Sequence, residues 1–138
     1  MSVLNRCAVT VVARQPMLDW LRPFASGEER ELARSDASVY LLPCYEDERE
    51  AWQCLRSVSA RIFAAELELW CRDVELWPSD RSFEVFQQWF TPHFHHVVED
   101  LGGEPLRSLA VDPALEAELR QALAGDGGAE PPRPDPLA

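Results

Sequence analysis

Residues 62–90, IFAAELELWCRDVELWPSDRSFEVFQQWF, contain three of the five tryptophans and four of the six phenylalanines of the chain. A Pro-Ser-Asp-Arg-Ser turn at 78–82 separates two apolar segments with helical spacing. Aromatic side chains bury large areas and dominate the energetics of cores. We therefore expect the other elements to be arranged around this stretch.

The first apolar segment continues upstream as a long helix, predicted over 48–71. Asp47 has the character of an N-cap, and Glu50 three residues later completes a capping-box pattern. At about 1.5 Å per residue the helix would be roughly 35 Å long, enough to cross a small domain. Its apolar stripe consists of Trp52, Leu55, Val58, Ile62, Phe63, Leu69 and Trp70.

Residues 6–13 are rich in β-branched residues and predict a strand, and residues 37–42, ASVYLL, closed by Pro43, predict a second one. Residues 93–101, HFHHVVEDL, are compatible with either a helix or a strand. Thr91, Pro92 and Gly102 favour a helix, whereas the adjacent valines and the Gly-Gly that follows favour a strand leading into a turn. The residues alone leave this alternative open.

Several motifs together resemble an uncharacterised family of small acidic bacterial cytoplasmic proteins. They are LDW (18–20), VYLLP (39–43), IFxxEL (62–67), WPxDRS (77–82), WF (89–90), His95 and DLxxxPL (100–106). The resemblance implies a strand around His95 and supplies no catalytic residues. We therefore predict an α+β fold, in which a small mixed sheet of about three strands, near 6–13, 37–42 and 94–101, packs against helices.

The length of 138 residues indicates one domain, which we place at 1–124. Residues 125–138, GDGGAEPPRPDPLA, have little to bury and are predicted to be a disordered tail. There is no membrane-length apolar run and no signal-peptide layout, so we expect a cytoplasmic protein. The oligomeric state does not follow from the sequence.

The formal net charge is −11, and none of the 13 basic residues is lysine. This balance argues against nucleic-acid binding, which needs clustered cations. The four cysteines lack CxxC spacing, and the histidines at 93, 95 and 96 do not supply three ligands from one face of a helix or a strand. We therefore expect no metal site and no cofactor.

The candidate functional cluster is centred on Glu66, whose neighbours three and four residues away are all apolar. A carboxylate in that position needs a partner. We expect a bidentate pair with Arg81, covered by Trp70 or Trp77, with Asp80 bracing the turn. Removing one partner of such a pair should cost on the order of 3–5 kcal/mol.

Two function classes remain. The favoured one is a non-catalytic protein-interaction module whose partner has a basic or mixed surface, contacted partly through the loop Tyr45-Glu46-Asp47-Glu48. The alternative is a small acid-base enzyme, hydrolase-like, in which Glu66, Asp80 and His95 converge. The favoured class follows from the absence of a standard catalytic motif, and no catalytic residue is assigned.

Truncation after Ala124 should leave the melting temperature nearly unchanged. The removed segment contains four prolines and three glycines, so little apolar surface is available to offset the entropy of ordering it. Thermal unfolding of the two chains followed by circular dichroism checks this. A decrease of more than a few degrees would show that the segment docks on the domain.

Overall fold

The computed structural model describes residues 2–108, and the expected domain boundary at 124 and the tail 125–138 lie outside them. The strands are β1 (Ser2–Val3), β2 (Cys7–Ala13), β3 (Ser38–Leu42), β4 (Phe90–His95) and β5 (Glu99–Asp100). The helices are α1 (Gln15–Trp20), α2 (Gly27–Ser35), α3 (Glu48–Glu68), the 3-10 turn Val74–Leu76, and α4 (Phe83–Trp89). None of these helices combines the length and hydropathy needed to traverse a bilayer.

A three-stranded sheet in the order β3-β2-β4 and the surrounding helices confirm the α+β class. Both pairings within this sheet are antiparallel, as is the separate two-stranded pairing of β1 with β5. Strand β2 is central because it pairs with both β3 and β4, and its residues Cys7, Ala8, Val9 and Val11 are buried. The two predicted strands before residue 43 are confirmed with nearly the predicted bounds.

The third strand of the sheet begins at Phe90, four residues earlier than predicted, and ends at His95. Helix α4 stops at Trp89, and the chain enters β4 directly. Proline is disfavoured in interior strands because it has no N–H to donate to the hydrogen-bond ladder. Pro92 is compatible with β4 because β4 lies at the edge of the sheet.

Helix α3 begins at the predicted residue and ends at Glu68, three residues before the predicted end. The Asp47 side chain accepts a hydrogen bond from the Glu50 N–H at 2.9 Å, as an N-cap should. The Glu50 carboxylate does not return to Asp47 but accepts the N–H of Glu46 at 2.8 Å. The reciprocal capping box occurs instead at Ser26 and Glu29, which start the nine-residue helix α2.

The core lies between α3 and the inner face of the sheet, and its centre is aromatic. Phe63 is fully buried, with ring centroids of Phe86, Trp89 and Phe90 at 6.0, 5.3 and 5.4 Å. Edge-to-face and tilted arrangements of this kind add to the stabilisation from buried area. The expectation that 62–90 organises the core is confirmed, since α3, α4 and the start of β4 meet at this residue.

Replacing Phe63 by alanine should lower the free energy of unfolding by about 3–5 kcal/mol, because a large cavity opens among rings that cannot collapse into it. Leu76→Ala is the matched control, since Leu76 is 53% exposed and should change stability by about 0.5 kcal/mol or less. Urea denaturation of both variants measures the difference. Equal losses in the two variants would show that Phe63 is not the centre of the core.

Candidate functional site

Glu66 lies at the margin of the buried face of α3. The fully buried positions of the helix run along Leu55, Ile62, Phe63 and Leu67, and Glu66 is half-buried beside them. Its carboxyl group therefore points toward strand β3 and not into the aromatic centre.

The partners of Glu66 are two hydroxyl groups of β3. Ser38 Oγ donates to Glu66 Oε2 at 2.8 Å, and Tyr40 Oη donates to the same oxygen at 2.7 Å. Ser38 and Tyr40 are two residues apart on a strand, so both side chains lie on the face that contacts the helix. No hydrogen bond from residues 2–108 reaches the second oxygen, Oε1.

The expected pair between Glu66 and Arg81 does not form. Arg81 Nη1 donates to the Pro78 carbonyl at 2.7 Å, and its guanidinium lies 5.6 Å from the Trp77 ring centroid. The turn thus satisfies Arg81 locally, and the residue does not reach α3. The ion pairs of the described chain involve neither Glu66 nor Arg81.

The three residues of the enzyme alternative do not converge. His95 pairs with Ala8, one position from the Val9–Tyr40 pair, so its side chain lies on the opposite face of the sheet from Glu66. There His95 Nε2 lies 3.2 Å from Thr10 Oγ1. Asp80 is at the surface, where it accepts the Ser82 N–H at 3.0 Å, and this bond lowers the pKa of its carboxyl group.

The two tryptophans of the predicted cluster have separate surroundings. Trp70 is buried and lines a partly open cavity of about 60 Å³ together with Glu66. Trp77 donates its indole N–H to the Cys71 carbonyl at 2.7 Å and holds the segment between α3 and α4. Of the predicted cluster, only Glu66 and Trp70 share this cavity.

The walls of this cavity come from four parts of the chain. We call it the Glu66 cavity; its lining is Ala13, Met17, Ala33, Asp36, Ala37, Ser38, Glu66, Leu69, Trp70 and Phe90. Burial of Glu66 raises the pKa of its carboxyl group, and the charge of nearby Asp36 acts in the same direction, against the two hydroxyl donors. Burial of the Tyr40 hydroxyl raises the pKa of Tyr40, and the charge of Glu66 raises it further.

Asp36, Ser38 and Tyr40 were missed by the sequence interpretation. The alternation of Ser38 and Tyr40 with Val39 was visible in the sequence. What was not visible is that α3 crosses the sheet beside β3, which brings residues 26 to 28 positions apart within hydrogen-bonding distance.

The edge of β3 is a second feature of this region. Arg14 N–H donates to the Trp89 carbonyl, which extends the ladder between β2 and β4 by one pair. Because bonded and non-bonded pairs alternate in an antiparallel ladder, Ser38, Tyr40 and Leu42 bond to β2. Val39 and Leu41 therefore direct their N–H and C=O groups away from the sheet, and no described strand pairs with them.

A groove of about 350 Å³ runs along this edge between β3 and α3. Its walls are Tyr40, Leu41, Leu42, Pro43, Val58, Arg61, Ile62 and Ala65. Val39 and Leu41 are 61% and 45% exposed, although both are large and apolar. The β3 edge thus combines free backbone groups, exposed apolar side chains and an adjoining groove.

The acidic loop places Tyr45 differently from the other three residues. Tyr45 is buried, with its ring 5.9 Å from that of Phe94. The three acids are exposed, and the loop borders an open pocket beside β4. A contact through this loop would therefore use the acids and not the tyrosine ring.

Metal ligation has no support among the described residues, since no three His, Cys, Asp or Glu side chains within 2–108 are grouped to hold an ion.

Comparisons with protein-family models, with curated proteins and with solved structures found no match. The resemblance to a bacterial family stays a prediction, and the functional inference rests on the geometry.

Glu66→Gln should gain stability relative to the native chain as the pH rises above about 4.5, the ordinary pKa of the group. A raised folded pKa means that the native state holds more protons than the unfolded state in this window, so raising the pH destabilises the native chain. Glutamine keeps an oxygen that accepts from Ser38 and Tyr40 and does not titrate. Urea denaturation from pH 4 to 8 measures the difference, with Glu68→Gln on the same helix as control; a difference that falls with pH would contradict the raised pKa.

Proposed function

We propose that this protein is a non-catalytic interaction module that binds an extended segment of a partner protein along the β3 edge. The observation behind this proposal is the outer edge of β3, where no strand of residues 2–108 pairs with the backbone groups of Val39 and Leu41. Added strands use such edges, since main-chain hydrogen bonds supply affinity and alternate side chains supply specificity. Here the groove between β3 and α3 lies where alternate side chains of an added strand would point.

The two edges of the sheet differ in their protection. Natural edge strands are blunted by proline, charge or a covering element. Strand β4 contains Pro92, and the sequence of β3, SVYLL, contains neither proline nor charge. An apolar edge that no strand of residues 2–108 covers carries a risk of aggregation, and a binding role gives a reason to keep it.

Charge favours a basic or mixed partner over a second copy of the chain. Two β3 strands paired antiparallel about Tyr40 would place Asp36 of one copy opposite Cys44 of the other, next to the acidic loop. Each copy also carries a formal charge of −11, so the copies repel one another. Arg61 is the cationic side chain of the groove and suits an acid within a mixed partner segment.

The acid-base enzyme has less support, because Glu66 and His95 face opposite sides of the sheet. A cytoplasmic location remains our expectation.

The acids Glu46, Asp47 and Glu48 lie shortly after the end of β3 and are proposed to guide a basic partner toward this edge.

The test uses the full chain and peptides selected on it from a random displayed library. We expect selected peptides to slow hydrogen exchange at the Val39 and Leu41 amides, because these amides become bonded. Leu41→Pro should weaken binding by about tenfold or more, since it removes one outward donor and sterically blocks pairing. It should retain the fold, since that N–H does not bond to β2.

Leu41→Thr is the matched control, because it shortens the side chain and keeps the N–H. Binding by Leu41→Thr and not by Leu41→Pro supports pairing through the backbone. Equal binding by the two variants, or protection at amides other than those of the β3 edge, would overturn the proposal. Thermal unfolding of both variants shows that the loss is not a loss of structure.

A further inference from the structure

The Glu66 cavity adjoins the beginning of the β3 edge. The chain that precedes β3, Asp36 and Ala37, forms one wall, and the first strand residue, Ser38, donates to Glu66. A strand that pairs with β3 as far as Ser38 would therefore come next to a residue of the cavity wall. A side chain on its helix-facing side, opposite Ser38, would be directed toward Glu66.

We propose that the Glu66 cavity accepts the cationic end of a lysine or arginine side chain carried by the strand that pairs with β3. This inference rests on the proposed function, because the strand delivers the side chain. The pairing of β3 with β2 is antiparallel, and we extend that direction to the added strand. Its inward residues would then lie opposite Leu42, Tyr40 and Ser38 in turn, which gives the pattern apolar-x-apolar-x-basic.

The charges of the cavity fit a cation. Glu66 and Asp36 both line it, and neither takes part in an ion pair with another residue of 2–108. Both hydrogen bonds to Glu66 end on Oε2, so Oε1 has no donor from the described residues. A cation beside Oε1 would supply the charge stabilisation that two neutral hydroxyl donors do not.

The size and the lining of the Glu66 cavity also fit a cationic side chain. A cavity that holds one water molecule has a volume of at least about 10–15 Å³. The Glu66 cavity has a volume of about 60 Å³ and therefore holds a group of a few heavy atoms, such as an ammonium or guanidinium group. Trp70 and Phe90 contribute aromatic walls, and aromatic faces attract cations. Met17 and Leu69 would contact the methylene stem of the side chain.

The first experiment titrates the full chain at pH 7 with three capped peptides of sequence Thr-Val-Thr-Val-Thr-X-Thr, where X is lysine, arginine or norleucine. Norleucine keeps the stem of lysine and removes its charge. We expect at least one cationic peptide to bind about tenfold more tightly than the norleucine peptide, as one charge-assisted contact provides. Glu66→Gln should reduce its affinity to that of the norleucine peptide, and Glu68→Gln should leave the preference unchanged.

Hydrogen exchange at the Val39 and Leu41 amides distinguishes the proposal for the β3 edge from the inference about the Glu66 cavity. Peptides that protect these amides without a preference for lysine or arginine would overturn the cavity inference and leave the edge proposal standing. A second arm titrates the chain with n-butylammonium, against n-butanol, and follows the Trp70 indole signal by nuclear magnetic resonance.

An ammonium-specific shift of this signal that Glu66→Gln abolishes supports the cavity even where no peptide protects the edge, and in that case the edge proposal fails alone. Where no peptide protects the edge, the absence of any ammonium-specific shift also overturns the cavity inference. Because Glu66→Gln keeps the shape and the acceptor for Tyr40, its folding is checked by urea denaturation beside the binding data.

Discussion

The packing of α3 across the inner face of the sheet is the contact on which the rest of the structure depends. Phe63 occupies its centre, where α4 and the start of β4 add their rings. A helix of 21 residues is about 30 Å long, so one stripe of its side chains is long enough to contact a short sheet from one end to the other. The same crossing brings Glu66, at the margin of that stripe, beside the first residues of β3.

This position gives Glu66 an environment unlike that of an exposed acid or of a buried ion pair. A buried charge without a cation is costly, and neutral hydroxyl donors reduce that cost without removing it. Burial raises the pKa of the carboxyl group despite the bonds from Ser38 and Tyr40. A raised pKa means that the folded state disfavours the charged form of this carboxyl group relative to the unfolded state.

The edge of β3 and the Glu66 cavity are consequences of one arrangement. Because β2 is central and β4 occupies its other side, one row of β3 backbone groups has no strand partner within residues 2–108. Because α3 passes beside this row, the free edge has a groove along it and an acidic cavity where it begins. Backbone pairing, apolar contacts and a charge are thereby arranged along a single strand, which is the chemistry needed to select an extended segment.

The sequence by itself determined the elements whose signals are local. The spacing of apolar residues and the Asp47 cap predicted α3, the β-branched run at 6–13 predicted β2, the short apolar segment before Pro43 predicted β3, and the aromatic density of 62–90 located the core. It also singled out Glu66, since four apolar helical neighbours are a local fact. The capping box at Ser26 was equally local and was overlooked.

Only the tertiary structure decided which groups meet Glu66 and where β4 begins. Arg81 was the nearest cation along the chain, but the Pro78 carbonyl and the Trp77 ring satisfy it within its own turn. Ser38 and Tyr40 became the partners because α3 crosses the sheet at that margin. Pro92 could enter a strand only because β4 is an edge, and strand order is a property of long-range pairing that periodicity along the chain does not encode.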